Sequence, residues 1–585
     1  MSADMSADMT TKVLIVGAGP TGLFASLALS KYKIPHILIE QRKATQAAPA
    51  AHVINTRTME IFRQVGLPMD EIYALNCHID ARFVTWLNRP GEVIGHFDLM
   101  GNADSLNARM NASQDHMSNI SQPLLEAFLL AEAKKSPLAD IRFGVTWQQF
   151  VDEDTHLSQV VDPDGKPLTI RSEFTLAADG AASGICRSLK IKKVGPDAIA
   201  TFLNLSCEVD MRGALSDTST LIYWLLDPET MGTAIVHDPE KSTVFMRPLA
   251  SPYESIEDYD DTTCLALLGK VFGDRPFKLL HKSVWRMTAQ LAEKFRHDNV
   301  FLIGDSAHRF PPTGGLGLNT GVGDVHNLVW KIAAMLGQVN KEGLLDTYEL
   351  ERRPVAQQNC DVSYSNHLKM TDVMQAIGLD TSKAHVLPKI MNHAFIRSLP
   401  GWLQQTIRNA LLSPVKAKLN AATATDASGD AIRSKVQQVI EDQREHFDTT
   451  GLELGYVYRE GCAVSTAAIT TVASEVSTYK PNVGPGSRLP HVQILVSGKP
   501  SSTLDLLDYR NFTLLHQGEI EDLHQGEIED ESFETFGLPI TRVNIAAPEY
   551  AAAVQLLAEQ LLLTPGNWIL VRPDGHIMAS SESVI

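Results

Sequence analysis

Apolar positions near the N-terminus run without alternation through Val13-Leu14-Ile15-Val16, the pattern of a strand buried on both faces. The run breaks at Gly17-Ala18-Gly19-Pro20-Thr21-Gly22 and resumes in Leu23 to Leu29, which reads as a helix; a second short strand, Ile37-Leu38-Ile39, ends at Glu40. Period-two alternation then dominates from about Cys77 to Met110 and from Thr201 to Trp285, as in Leu221-Ile222-Tyr223-Trp224-Leu225-Leu226 and Ser242-Thr243-Val244-Phe245-Met246-Arg247, and predicts an antiparallel sheet. Val300 to Ile303 is another apolar strand, followed by the glycine- and proline-rich stretch Gly304 to Gly321, with Asn319 beginning a helix that continues through Lys331. Helical patterns fill Val355 to Phe447, with a polar break near Ala421 to Gly429. Beyond it the chain turns α/β again: strands His491 to Val496, Phe512 to Leu515 and Thr541 to Ile545, helix Glu549 to Leu562, strand Trp568 to Val571 and a turn at Pro573-Asp574-Gly575.

At 585 residues the chain exceeds one core, so two to four domains are expected, some discontinuous. A net charge of -18 argues against a sequence-independent grip on nucleic acid or anionic lipid, both of which need clustered Lys and Arg. No apolar run reaches the length of a membrane span, and Met1 to Met9 is acidic and polar, reading as a frayed tail rather than a secretory signal. Six scattered cysteines (Cys77, Cys186, Cys207, Cys264, Cys360, Cys462) form neither a CxxC nor a zinc pattern, so a reducing cytoplasmic setting without a metal site is expected. The octapeptide Leu515 to Asp522 recurs at Leu523 to Asp530 and reads as a duplicated acidic surface loop.

Strand, glycine turn, helix and acid together form a dinucleotide fingerprint. Gly17 serves the tight turn, Gly19 lets a pyrophosphate approach the backbone, Gly22 permits close helix–strand packing, and Glu40 takes ribose hydroxyls. The second glycine loop suits a flat ring beyond that turn. Gly304-Asp305 places a carboxylate near a ribityl chain, Pro311 and Pro312 stiffen the loop, and Gly314, Gly315 and Gly317 offer N–H groups to a flavin edge.

GAGPTG, Asp179-Gly180 within Leu176 to Ala181, and the GD loop with its PPTGGLGLN continuation occur in an order that resembles the single-component FAD-dependent aromatic hydroxylases, the p-hydroxybenzoate hydroxylase group. Gln122 matches a family glutamine near the flavin. His52 to Glu60 and Leu345 to Arg352 bring the likeness closer to phenol, chlorophenol and 2-hydroxybiphenyl hydroxylases, and Pro485 to His491 with Leu570 to Gly575 resemble the thioredoxin-like domain that ends phenol hydroxylases.

The resemblance implies an α/β chain. A glutathione-reductase-type, Rossmann-like FAD domain (10–76, 111–195, 286–354) carries an inserted substrate sheet (77–110, 196–285), then a helical linker region (355–450) and a thioredoxin-like domain lacking CxxC (451–585). The expected cofactor-binding residues are Gly17, Gly19, Pro20, Thr21, Gly22, Glu40, Gln41, Arg42, Gln122, Asp179, Gly304, Asp305, Pro312, Gly315, Gly317, Leu318 and Asn319; the expected substrate wall is Tyr223, Trp224, Arg247 and Pro311. Departures are Ala50 and Ala182, where relatives often carry arginines, with Arg187 one place late.

The implied chemistry is hydroxylation of a phenolic ring through a C4a-hydroperoxyflavin, with FAD as cofactor, NAD(P)H and O2 as co-substrates, and a homodimer as the assembly. A phenol is mostly protonated at neutral pH, so a base is useful, and His52 is the candidate, with His308 positioning the GD loop. A flavin oxidase or dehydrogenase of the same fold, or a non-catalytic flavin-binding protein, are the alternative readings.

Overall fold

The computed structural model describes residues 7–581 except 47–48, 77–79, 152–153, 251–252, 338–342, 381–385, 463–473 and 519–537. Cys77 and most of the duplicated octapeptide lie outside the described residues.

Strand Met9–Val16 is the centre of an eight-stranded sheet. It pairs in parallel with His36–Glu40 on one side and Pro167–Ala177 on the other; Ala139–Phe143 and Val300–Leu302 extend the parallel order outward. Buried on both faces, these strands carry the unbroken apolar runs of the sequence, and their residues join one core with helices Pro20–Lys31 and Leu316–Leu336. The first strand is anchored earlier than the polar N-terminal run suggests: Asp8 accepts from the main-chain N–H of Thr169 at 2.8 Å.

The second sheet has seven strands in the order Phe277–Met287, Ala200–Val209, Ser242–Leu249, Gly232–Asp238, Thr220–Leu225, Phe83–Leu87 and Val93–Asp98. It is not purely antiparallel, because Thr220–Leu225 runs parallel to Phe83–Leu87. Those two strands come from separate stretches of chain, so no hairpin dictates their relative direction. One face packs on helix Asp261–Phe272; the other closes a cavity.

Helix Thr347–Ala376 crosses the expected boundary at 354/355 with Pro354 inside it. Helices Gly401–Ala422 and Ala427–Glu441 follow on either side of the polar break and cover the edge strand Val93–Asp98. In the C-terminal region Phe512–His516 lies between Ile540–Asn544 (parallel) and Trp568–Val571 (antiparallel), with Ile577–Ser580 at the far edge. Expected strand His491 to Val496 is shorter, Gln493–Val496, and the helix expected from Glu549 is a 3-10 turn, Pro548–Tyr550, followed by Val554–Gln560. Among the described residues the cysteines Cys186, Cys207, Cys264, Cys360 and Cys462 are free and buried, and no helix is long and apolar enough to cross a membrane.

Candidate functional site

A cavity of about 1810 Å³ runs from the first glycine turn to the seven-stranded sheet. At one end of it, Gly17 turns the chain at φ +109°, where a Cβ would lie 2.2 Å from the carbonyl oxygen of Ala178. A Cβ on Gly22 would lie 1.9 Å from the Gly17 oxygen, whereas one on Gly19 would meet nothing within 4 Å. Turn and packing therefore demand glycine at two positions, and the third leaves open space beside the first turn of helix Pro20–Lys31, where N–H groups and helix dipole favour an anion.

Glu40 is buried under this turn. It accepts from Ala18 N–H at 2.8 Å and, on its other oxygen, from the main-chain N–H and Nε of Arg42 at 2.8 and 3.0 Å. Burial alone would raise its pKa, but the Arg42 and Ala18 hydrogen bonds outweigh it and hold the carboxyl below its ordinary value. Nη2 of Arg42 adds a fourth bond at 3.2 Å, so a ribose hydroxyl reaching Glu40 exchanges with the Arg42 side chain.

Asp179 follows strand Pro167–Ala177 on the cavity wall. One carboxylate oxygen accepts from Ile185 N–H at 3.1 Å; the other is buried without a partner among the described residues. Burial pushes its pKa up. Arg187 also lines the cavity and donates to the Ala182 carbonyl at 2.6 Å, which brings a guanidinium back over the position where the sequence lacks an arginine.

The GD loop forms the opposite wall. Asp305, Pro311, Pro312, Gly314, Gly315, Gly317 and Leu318 face the cavity, with Gly314 and Gly315 at φ +99° and +63° and Gly315 capping helix Leu316–Leu336. Gly304 and Asn319 stand behind it. Gly304 meets Thr21 so closely that a Cβ would lie 2.7 Å from its hydroxyl. Asn319 accepts from Asn55 N–H at 3.0 Å and donates to the carbonyls of Val53 and Gly315 at 3.0 and 2.6 Å, tying the loop to the His52 segment. His308 and Asp324 join at 2.7 Å, and Asp324 also accepts from Gly304 N–H and Arg352, so His308 fixes the loop from inside the core.

At the sheet end His52 lines the cavity, its Nδ1 2.5 Å from Oδ1 of Asn119. Its ring stands edge-on to that of His237, centroids 5.1 Å apart and planes at 82°. Burial, and secondarily His52, hold the His237 pKa well below the ordinary imidazole value. Gln122 accepts from Ala51 N–H and donates to Glu126, bracing the main chain beside His52.

Of the expected substrate wall, Trp224 and Pro311 line the cavity. Tyr223 and Arg247 do not: Tyr223 is packed into the core beneath the sheet, and Arg247 donates to Tyr259 at 2.9 Å on that same far side. Successive strand residues point to opposite faces, so Trp224 excludes Tyr223, and the inward set Ser242, Val244 and Met246 excludes Arg247. Among the expected cofactor residues, Gly17, Gly19, Pro20, Thr21, Glu40, Gln41, Arg42, Gln122 and Asp179 line the cavity, while Gly22, Gly304 and Asn319 shape it from behind. His237 and Asn119 were not anticipated. His237 shares parity with Thr233 and Ile235, a signal present in the sequence; Asn119 lies in the two-residue strand Ser118–Asn119, too short for any periodicity.

A family model described as FAD binding domain matches residues 10–363. The 2,4-dichlorophenol 6-monooxygenase of Cupriavidus pinatubonensis (strain JMP 134 / LMG 1197) is 27% identical over 99% of this chain and 94% of its own length. Aklavinone 12-hydroxylase RdmE of Streptomyces purpurascens is 32% identical over 60% of this chain and 67% of its own. The crystal structure of the flavin-dependent monooxygenase PieE in complex with FAD and substrate superposes with a TM-score of 0.85 at 26% identity, covering 98% of this chain and 96% of that one.

Proposed function

We propose, from the premise that this chain belongs to the FAD binding domain family, a function for the cavity that joins its nucleotide turn to its histidine pair. The protein is a flavin-dependent aromatic monooxygenase. The observation that carries the reading is continuity: one cavity is lined by the Gly17-to-Thr21 turn, the Asp305-to-Leu318 loop, one face of the seven-stranded sheet with His237, and His52. Its volume exceeds the ~300–1,000 Å³ of a typical small-ligand pocket, consistent with a dinucleotide and an aromatic ring held end to end.

The residues present fit FAD. The open space at Gly19 suits the pyrophosphate, Glu40 the ribose, Asp305 the ribityl chain, and the Gly314–Leu318 backbone the ring's pyrimidine edge. The unpartnered oxygen of Asp179 is a further acceptor for a donor on the cofactor or its reductant. When bound, FAD supplies the transfer of electrons from NAD(P)H to O2 and delivery of one oxygen atom to the substrate ring.

The chain's own part is to order the ring and manage its proton. Trp224, whose buried Nε1 has no partner among the described residues, and Pro311 line the same cavity as His52. His52 takes the phenolic proton, making the ring more electron-rich. The sheet and GD loop exclude water. The two sheets support a glutathione-reductase-type FAD domain with an inserted substrate sheet, and the strand order of the C-terminal region supports a thioredoxin-like domain acting by packing. A homodimer is the assembly this reading expects.

The test is oxidation of NADPH and NADH by the purified FAD-loaded protein, with and without a panel of phenols, recording oxygen uptake, peroxide and product mass. A phenol that accelerates oxidation and gains one oxygen atom supports the reading; oxidation that yields only peroxide and dehydrogenated product favours an oxidase.

A further inference from the structure

Resting on the reading of this cavity as that of an aromatic monooxygenase, we infer that Asn204 and Trp224 are its specificity-determining residues, pairing with oxygen substituents at opposite ends of an aromatic substrate longer than one ring.

Strand register fixes where the two side chains stand. Asn204 lies opposite Met246, Met246 opposite Thr233, and Thr233 opposite Trp224. The four form one row across strands Ala200–Val209, Ser242–Leu249, Gly232–Asp238 and Thr220–Leu225, and all four line the cavity. Three strand spacings of about 4.8 Å set the main chains of Asn204 and Trp224 about 14 Å apart, and side chains stand roughly perpendicular to a sheet, so one hydroxylated ring does not reach both. Trp86, next in the row, stacks on the Trp224 indole at 6.4 Å without itself lining the cavity, so Trp224 ends the platform.

The floor beside them is apolar. Val244, Ile235 and Ile222 line the next row, two residues along each strand, and Met246 stands between the two ends. A flat apolar floor suits the face of an aromatic ring system, with polar groups needed only where its substituents fall.

The two ends are unpaired and opposite in sense. Oδ1 of Asn204 is an acceptor and Nε1–H of Trp224 a donor, and both atoms are buried with no partner among the described residues. An apolar side chain of similar shape at either position would avoid an unpaired buried polar atom, so packing alone gives no reason to keep them. Both side chains turn about Cβ–Cγ bonds with broad torsional preference, which lets a bound substrate draw each polar edge to itself. Asn204 then accepts from a ring hydroxyl, and Trp224 donates to a hydroxyl or carbonyl oxygen at the far end. A simple phenol satisfies one of them and leaves the other unpaired; a longer fused aromatic with an oxygen at each end satisfies both.

The experiment is equilibrium dialysis of the full FAD-loaded chain against phenol, a monohydroxyanthraquinone, and the dihydroxyanthraquinone whose hydroxyls sit on opposite end rings. Wild type is expected to bind the dihydroxy compound about tenfold more tightly than the monohydroxy one, and phenol more weakly than either. Asn204→Leu should weaken the dihydroxy compound about tenfold while phenol stays within about threefold; Trp224→Phe, which keeps a ring and loses the N–H, should do the same. The assignment is overturned if wild type binds phenol as tightly as the dihydroxy compound, if either substitution leaves the dihydroxy affinity within about twofold with FAD content unchanged, or if all three probes weaken alike. Should Asn204→Leu lose FAD, Trp224→Phe and the wild-type ranking decide by the same thresholds. Product mass after NAD(P)H oxidation separates this from the parent reading: the expected affinities with no gain of oxygen by any phenol would uphold the two-ended site and overturn the monooxygenase.

Discussion

Gly17 and Gly22 need glycine for two different physical reasons, one a backbone angle and one a contact. At φ +109°, with the Ala178 oxygen 2.2 Å from any Cβ, Gly17 has no room for a side chain; Gly17→Ala is expected to abolish FAD retention, read as loss of yellow colour on gel filtration. This requirement was legible in the spacing of the motif, as was Glu40 at the end of its strand. The engagement of all four Glu40 acceptor positions was not, because Arg42 is adjacent in sequence but its side-chain course depends on the fold. His52 is a candidate base on chemistry and likeness, yet the groups that touch its ring, Asn119 and His237, arrive from strands distant in sequence. His52→Gln is expected to reduce kcat about 100-fold, within the range for loss of a general base, while leaving the flavin spectrum unchanged. Rapid-mixing measurement of flavin reduction by NAD(P)H should be unaffected, which separates a proton-transfer defect from a docking one.

At the level of the element, the seven-stranded sheet decides which side chains face the cavity. Alternation identifies Leu221 to Leu226 and Ser242 to Arg247 as strands, and the same two-residue period puts Tyr223 and Trp224 on opposite faces, against the expectation that both stand on one wall. The structure resolves the choice: Trp224 lines the cavity and stacks at 6.4 Å on Trp86, while Tyr223 lies in the opposite core with its hydroxyl 3.4 Å from Ser216. Trp224→Ala is expected to raise the KM for the phenol about tenfold by removing a large apolar contact, whereas Tyr223→Phe should leave kcat and KM unchanged and alter stability by about 1 kcal/mol at most. Equal effects of the two substitutions on KM would reverse the assignment of faces. The same sheet shows why strand order escaped the sequence: Phe83–Leu87 joins Thr220–Leu225 in parallel across more than a hundred residues, and no local pattern encodes which edge receives a distant strand.

Across the whole molecule, the C-terminal region grips the same two helices that begin at the cavity. Helix Thr56–Val65 follows His52, and Arg488 donates to its Glu60 at 2.9 Å while its Arg57 donates to the Asp574 carbonyl at 3.0 Å. Helix Leu316–Leu336 starts at the GD loop, and its Lys331 meets Glu351 at 2.7 Å, where Arg572 also binds through both nitrogens at 2.7 and 2.9 Å. These groups are nearly without solvent exposure, so removing one partner leaves the others charged and unmatched, at about 3–5 kcal/mol. Arg488 and Arg572 stand out in the sequence only as parts of segments resembling a known domain; Arg572 pairs with Asp574 two residues on, but Glu60 and Glu351, the partners that tie the region to the rest of the chain, lie hundreds of residues away. The network also gives the fold an acid limb. Burial would raise the pKa of Glu351, but Arg572 and Lys331 bring it down to about 2, below its ordinary 4.5. The folded state therefore binds fewer protons than the unfolded one in that interval: the contribution is complete above about pH 4.5 and is lost as pH falls towards 2. Arg572→Met should lower thermal stability at neutral pH and flatten the decline in stability between about pH 4.5 and 3, because the larger of the two charges that depress Glu351 is gone. It should also loosen both helices at their shared support, giving faster FAD loss and a larger peroxide fraction, while the phenol still reaches its pocket with little change in KM. A variant with wild-type acid slope and wild-type coupling of NAD(P)H oxidation to product would mean that this domain stabilises the chain without supporting the cavity.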